Sequence, residues 1–247
     1  MPRKLILPEV WNVPQIFRDR LGEVAGRQRA MQAEGHLMLV LHAPPGPQDN
    51  DRIRRFFWRA PDGVWSSDAF GGGPNAMDKH LSEYATLVEK YEHQDEAAVT
   101  ADDYFDVIYG LAPLQRSARH IHEVLQDARK MCPEDRDLIT QRDRSYQISR
   151  MCDLLHNDAK NGLEFSIAKR TEEQAQSSQQ MAVSAHRLNM LAAFFFPIVT
   201  LTAIFGVNLK HGLEEQSPPL PFAICITLGL ICGFVLKAAV NRQPKNP

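Results

Sequence analysis

The chain has 247 residues, of which 44% are hydrophobic and 23% are charged, and its formal net charge at pH 7 is -2. These averages describe an ordinary soluble protein, and with no basic excess we expect no nucleic-acid partner. They conceal a strong asymmetry, because no residue from Leu188 to Leu209 or from Gln216 to Leu236 carries a formal charge, whereas the chain before Arg187 is rich in charged residues.

Residues 1–98 predict a small α/β cytoplasmic domain. Residues 14–33 begin with a proline, which the first turn of a helix tolerates, and their mixture of apolar and charged residues predicts a helix. Residues 36–42 form a short apolar run, and residues 55–58 lead into the turn sequence at 60–63. We therefore expect two or three strands around a hairpin.

A run of glycines, residues 71–73, precedes the next predicted helix. It lacks the glycine spacing and the Lys-Ser/Thr pair of a phosphate-binding loop, so we interpret it as a linker. Residues 76–98 carry apolar residues at helical spacing and predict an amphipathic helix that completes the domain.

Residues 99–187 predict a cytoplasmic helical stalk. Thr100, with Asp103 three residues later, is typical of a helix N-terminus, and this helix should continue to about Lys130 before Pro133 ends it.

A second, much longer helix is expected after that proline. No further proline occurs before Pro197, and one Asn-Gly pair at 161–162 is tolerated inside a helix. The sequence predicts a helix from about Glu134 to Val207, about 110 Å long at 1.5 Å per residue. Such a helix reaches from the cytoplasmic part into a membrane.

The two uncharged runs predict transmembrane helices over residues 188–209 and 218–238. Each run has about 20 residues, enough to cross about 30 Å of hydrocarbon, and neither shows the polar face of a soluble helix. Residues 210–217 then form an extracytoplasmic loop and residues 239–247 a cytoplasmic tail. A buried helical hairpin of a soluble protein is the alternative.

Basic residues border both predicted spans. They are Arg187 before the first span and Lys237, Arg242 and Lys245 after the second. The positive-inside rule places them in the cytoplasm. Residues 1–10 hold no apolar stretch of signal-peptide length, so we expect both termini to be cytoplasmic. The chain is predicted to be an integral membrane protein, of the inner (plasma) membrane in a bacterium.

Small residues recur at seven-residue spacing along the long predicted helix. One row is Ala168, Ala175, Ala182, Asn189, Phe196 and Ala203, and the row three places later is Thr171, Ser178, Ala185, Ala192, Val199 and Gly206. We call these two rows the small-residue stripe. Such a stripe lets the helices of an oligomer approach closely around an axis. Alanine-rich packing without a pore is the alternative that the periodicity leaves open.

The end of this helix carries a motif that resembles the CorA magnesium-transporter superfamily. Phe196-Pro197 is followed by Ile204-Phe205-Gly206-Val207-Asn208, a short loop and a second span. That superfamily has a long stalk helix, a proline in the first span, the tripeptide Gly-Met-Asn at its outer end, usually after a tyrosine, and a short second span. Pro197 has the family spacing, Phe205 stands in the place of the tyrosine, and Val207 replaces the methionine. The architecture matches over the whole chain, but the motif similarity is confined to about residues 186–236.

The resemblance implies an α+β cytoplasmic domain, a stalk helix and two C-terminal transmembrane helices in a homopentamer that is not an enzyme. It implies passive transport of a divalent cation, Mg²⁺ in the first place, with lipid, divalent cations and further copies of the chain as partners. Mg²⁺ is the expected transported ion and a candidate regulatory ion, and no tightly bound cofactor and no catalytic residue is expected.

The resemblance also implies the parts of the pore. Gly206, Val207 and Asn208 would form the selectivity filter, where the neutral amide of Asn208 would contact the waters of a hydrated ion. Asn208 as a helix cap is the alternative. The expected pore lining is Ala182, Ala185, Leu188, Ala192, Phe196, Val199 and Ala203. This lining contains no charged side chain, so transport through it would be passive.

Two groups of acidic residues are candidates for supporting roles. Glu214 and Glu215 in the outer loop would attract cations, although a solvated turn explains them as well. The cytoplasmic acids Asp102, Asp103, Asp106, Glu134, Asp135 and Asp137 are candidate sensors of magnesium between subunits, or simply solvated helix ends.

Two other functions remain open. Because Val207 replaces the methionine of the tripeptide, zinc or another divalent cation is an alternative transported ion for the same fold. A membrane-anchored signalling effector or scaffold without transport is the third possibility, although no catalytic constellation supports it.

Overall fold

The computed structural model describes residues 7–49, 52–73, 75–206 and 220–241. Contacts within the chain divide it into two compact units, Met1–Lys169 and Arg170–Pro247.

The described residues of the first unit form one antiparallel sheet of five strands, which lie side by side in their sequence order. The strands are β1 (Arg29–Ala33), β2 (His36–His42), β3 (Arg54–Arg59), β4 (Trp65–Ser67) and β5 (Gly71–Gly72). Glu34 and Gly35 join β1 to β2 with φ angles of 53° and 77°. Positive φ angles at both central positions are what a two-residue hairpin turn requires.

The described residues also form five helices. They are α1 (Gln15–Asp19), α2 (Asn75–Ala97), α3 (Ala101–Met131), α4 (Arg136–Gly206) and α5 (Leu220–Asn241). The predicted combination of a small sheet with a very long helix is confirmed. The predicted start of α3 is also confirmed, because the Asp103 N–H donates to Thr100 Oγ1 at 3.3 Å and the Thr100 N–H donates to Asp103 Oδ2 at 2.8 Å.

Strand β2 is buried on both faces. One face carries Leu37, Leu39 and Leu41, which belong to the core shared with α2 and α3. The opposite face carries Met38 and Val40, which pack with Phe17 of α1. Burial on both faces explains why this strand is a continuous apolar run and not an alternating one.

The helix predicted over residues 14–33 is wrong. The helical part is limited to α1, and residues 29–33 form β1. Gly26 lies between them with a φ angle of +57°, which a helix does not accommodate. Met31 is buried and pairs with Met38 of β2, so pairing with the sheet outweighs the helix-like composition of this segment.

The interpretation of residues 71–73 as a linker is also wrong, and the sheet has more strands than expected. Gly71 and Gly72 form β5, which pairs with Ser67 and Ser66 of β4. Two glycines have no side chains to form an apolar pattern, so this strand rests on backbone pairing that the sequence does not display.

An ion pair joins the sheet to the start of α4. The Arg59 guanidinium of β3 binds the carboxylate of Asp135, whose side chain is 7% exposed. The same carboxylate accepts the N–H of Leu138 at 3.1 Å and so caps the helix. One acidic residue therefore holds the sheet and begins the longest helix of the chain.

Two buried histidines of this unit are neutral. Burial lowers the pKa of His80 to about 3, with a further contribution from Arg55, which donates to His80 Nδ1 at 3.0 Å. Burial, followed by the charge of Arg52, lowers the pKa of His42 to about 4. In the unfolded chain both groups return to about 6.5.

We predict that the first unit loses stability as the pH falls below 6.5, the unfolded pKa of these histidines. Above that pH neither state binds the proton. Below it, the unfolded state binds a proton at each histidine, whereas the folded state does not. Each histidine therefore lowers the free energy of unfolding by up to about 1.36 kcal/mol per pH unit. Denaturant unfolding followed by tryptophan fluorescence reports this unit, because Trp11, Trp58 and Trp65 all lie in it.

The variant His80→Phe keeps an aromatic ring beside Phe57 and Tyr84 and removes one titrating group. It should reduce the slope between pH 6.5 and about pH 5 by about half. The control His93→Gln replaces an exposed histidine and should leave the slope unchanged. An unchanged slope in His80→Phe would contradict the assignment.

Candidate functional site

The described part of the second unit consists of the C-terminal part of α4 together with α5. Among the described residues, α4 is the one helix that is long and apolar enough to cross a membrane, and no part of its apolar window is buried inside the chain. A shorter apolar stretch, Ile226–Ala238, lies in α5. Apolar helix surface that the chain itself does not cover must find another apolar environment.

The two helices of this unit approach closely at two glycines of α5. A Cβ atom at Gly233 would lie 2.7 Å from the backbone oxygen of Phe194, and one at Gly229 would lie 3.1 Å from Cγ1 of Ile198. The Phe194 and Phe234 rings meet edge to face, with centroids 5.5 Å apart. Glycines four residues apart are a known means of close approach between apolar helices.

This contact was missed in the sequence, although a signal for it was present. Gly229 and Gly233 lie in the second uncharged run at the spacing of one helical turn, which predicts a packing face. The small residues of the first span predict an oligomer axis, and they do not indicate which side of that helix packs on α5.

The side of α4 that carries Phe194 and Ile198 is the covered side. The half-buried residues of this segment are Met190, Ala193, Phe194, Pro197, Ile198 and Leu201. At 3.6 residues per turn, these positions share one side of the helix.

The residues expected to line a pore are exposed in the single chain. They are Ala182, Ala185, Leu188, Ala192, Phe196, Val199 and Ala203. By the same helical periodicity, the group from 185 to 203 points away from the side that packs on α5. Leu188, Phe196 and Val199 are 67%, 70% and 60% exposed. The small-residue stripe is therefore left uncovered by the second helix between Ala185 and Ala203.

The uncovered face offers little polar chemistry. No charged residue occurs in α4 after Arg187. The hydroxyls of Thr200 and Thr202 donate to the backbone oxygens of Phe196 and Ile198 at 2.8 and 3.0 Å, so they are satisfied within the helix. A surface of this kind can pack or form an apolar wall, but it cannot transfer protons.

The predicted filter and outer loop lie mostly beyond the described part of the chain. Gly206 is the last residue of α4. Val207, Asn208, Glu214 and Glu215 are outside the described residues, so their proposed roles stay predictions.

The candidate cytoplasmic acids are divided between two places within one chain. Asp102, Asp103 and Asp106 lie in the first turns of α3, and Glu134, Asp135 and Asp137 lie after its end. Since α3 has 31 residues, about 45 Å separates the two groups. Among the described residues, no three His, Cys, Asp or Glu side chains converge to hold a metal ion.

Comparison with known proteins identifies a shared fold. No family model and no curated protein matches the chain. The solved structure of the full-length CmaX protein is 12% identical, covers 95% of this chain and 82% of its own, and has a TM-score of 0.58. The structure of the CorA magnesium transporter from Methanocaldococcus jannaschii is 12% identical over 90% of this chain and 80% of its own, with a TM-score of 0.40. The similarity to CmaX shows that the two chains share their fold.

We predict that Gly233→Ala destabilises the second unit. A methyl group there lies 2.7 Å from a backbone oxygen that cannot move aside. Gly229→Ala should cost less, because the methyl group there lies 3.1 Å from Cγ1 and 3.3 Å from Cα of Ile198. Without these contacts, Gly→Ala in a helix would stabilise it by about 1 kcal/mol.

The measurement is the temperature at which the detergent-solubilised protein loses its size-exclusion peak. Gly22→Ala is the matched control, because a Cβ atom at Gly22 meets nothing within 4 Å. A higher midpoint for Gly233→Ala than for the unmodified protein would show that the helices do not meet there.

Proposed function

We propose that this chain forms a CorA-like channel for passive transport of a divalent cation, with Mg²⁺ as the transported ion. The observation that carries the proposal is the part of the small-residue stripe between Ala185 and Ala203, which is exposed, uncharged and turned away from α5. The fold shared with CmaX and the Gly206-Val207-Asn208 sequence at the end of this helix support it.

The stripe requires a partner with a complementary surface. Its largest exposed members are apolar, and α5 is already engaged on the other side of the helix. Copies of α4 arranged around an axis would cover these residues and leave a narrow, uncharged passage. Five copies is the number that the CorA resemblance suggests.

In this proposal both α4 and α5 cross the membrane. Residues 210–217 lie on the outer side, and both termini lie in the cytoplasm of a bacterial cell. A divalent cation moving inward across about 100 mV gains about 4.6 kcal/mol, so a passage without coupling groups suffices for uptake.

Ion selection would take place at the outer end of the stripe. Mg²⁺ gives up its waters reluctantly, so neutral acceptors that contact the bound waters hold it without trapping it. The amides of Asn208 from each copy would form such a ring, and Glu214 and Glu215 would raise the local cation concentration. Val207, in place of the usual methionine, is the feature that favours zinc or another divalent cation as the alternative ion.

We predict that the stripe faces the oligomer axis. In a chain without its four native cysteines, single cysteines at Ala182 and Ala185 should form disulfides between copies under mild oxidation. Cysteines at the neighbouring Met181 and Ser184 should form them weakly, since they point to other sides of the helix. Gel electrophoresis without reducing agent measures the yield, and the reverse pattern would place the axis on another face.

We predict that Asn208 controls ion passage. In vesicles containing purified protein, Asn208→Leu should reduce Mg²⁺ uptake to the level of vesicles without protein, because the ring of acceptor oxygens is lost. Asn208→Asp should retain cation flux with longer occupancy and broader selectivity, since carboxylates bind cations more tightly.

Size-exclusion chromatography should show the same assembly for both variants. Uptake of Mg²⁺, Zn²⁺, Co²⁺ and Ni²⁺ by the unmodified protein identifies the ion, and Val207→Met tests the contribution of the altered tripeptide. Normal assembly of Asn208→Leu together with native flux would refute the assignment of the filter.

A further inference from the structure

Residues 170–189 of α4 form a stretch of helix that is exposed on all its sides. Met181, Val183 and Leu188 are 64%, 45% and 67% exposed in the single chain. Helices in proteins are stabilised mainly by the packing of an apolar face, and a lone helix in water gains little from its own hydrogen bonds. This stretch therefore requires a partner along its length.

The small-residue stripe divides the sides of this stretch into two flanks, since the heptad positions next to a two-row stripe lie to its left and to its right. The first flank carries Arg170, Gln174, Ser177, Met181, Ser184 and Leu188. The second flank carries Glu172, Gln176, Gln179, Val183 and His186. The side opposite the stripe carries Glu173, Gln180 and Arg187. The two flanks differ, because the first combines large apolar residues with a base and the second combines polar residues with an acid.

A ring of copies brings unlike flanks together. If the stripe of every copy faces one axis, the first flank of each copy lies against the second flank of the next copy, as in any head-to-tail ring. This geometry rests on the proposed channel, in which copies of α4 surround the axis. Identical flank residues of two copies do not meet in it, so the contact depends on how well the two flanks complement each other.

The flanks are complementary in charge. Arg170 is the charged residue of the first flank, and Glu172 is the acidic residue of the second. In a parallel ring in register the two differ in height by two residues, about 3 Å, which an arginine side chain spans easily. Within one chain they cannot pair, because residues two apart point to different sides of a helix.

Two other charged residues could compete for these groups. Lys169 precedes Glu172 by three residues, and Glu173 follows Arg170 by three residues. Side-chain pairs at this spacing on one helix are weak, and both a carboxylate and a guanidinium have sites for a second partner. A contact between copies therefore remains open to both Arg170 and Glu172.

The flanks are also complementary in their apolar residues. Met181 of the first flank differs in height by two residues from Val183 of the second flank, the same offset as between Arg170 and Glu172. One arrangement thus covers exposed apolar surface and pairs opposite charges at once. Apolar burial favours the association, whereas the ion pair selects the register.

We propose that neighbouring copies of α4 dock flank to flank, parallel and in register, with Arg170 of each copy paired with Glu172 of the next. A shift by one heptad would place Arg170 opposite Gln179 and lose the ion pair. Charged residues beside the core of a coiled coil set partner choice and orientation in this way. The partner of this surface is a second copy of the chain.

Charge reversal with rescue tests the contact in the full-length protein in detergent at low ionic strength. Size-exclusion chromatography with light scattering over a dilution series gives the protein concentration at half-assembly. Arg170→Glu and Glu172→Arg should each raise this concentration about fivefold, because every contact of the ring exchanges an attraction for a repulsion. A chain with both changes restores the pair in reverse order and should assemble as the unmodified protein does. At about 1 M salt, which screens charges beyond about 3 Å, the single variants should also assemble normally.

Glu173→Arg is the matched control, because it makes the same charge change at the next residue but on the side opposite the stripe. It should not change the concentration at half-assembly. Unchanged assembly of the single variants, no recovery in the double variant, or an equal loss in Glu173→Arg would overturn the contact. Disulfides at Ala182 and Ala185 separate this inference from the proposed channel. If they form while charge reversal has no effect, the axis stands and the ion pair is wrong; if they do not form, both are wrong.

Discussion

The burial of β2 on both faces is the constraint on which the first unit depends. The strand lies between the core shared with α2 and α3 and the smaller core around Phe17, so its pairing with β1 and β3 must be in register for both cores to form. A shift by one residue would exchange the two faces and expose Leu39 to the environment of Met38. The same register places His42 opposite Arg54.

The sheet also determines where the longest helix begins. Asp135 is held by Arg59 of β3 and caps the first turn of α4 with the same carboxylate. Breaking a largely buried ion pair leaves an uncompensated charge, which makes such pairs costly to disrupt. The start of α4 is thus tied to the core of the first unit by a specific polar contact and not by apolar packing alone.

In the second unit, steric fit takes the place of polar contacts. Gly229 and Gly233 allow α5 to approach the backbone of α4, and this approach decides which side of α4 is covered. The remaining side keeps its small and apolar residues exposed, in a segment without a charged side chain.

Much of this architecture was readable in the sequence where a local signal was strong. The capping pair Thr100 and Asp103 marked the start of α3, the absence of proline before Pro197 predicted one long helix, and the two uncharged runs marked the apolar helices. Each of these features depends on neighbouring residues and on elementary geometry. The tertiary structure alone decided the strand at Met31, the glycine strand β5 and the contact of Gly233 with Phe194. These features require residues that are distant in sequence to meet, and composition or periodicity along one segment carries no information about such partners.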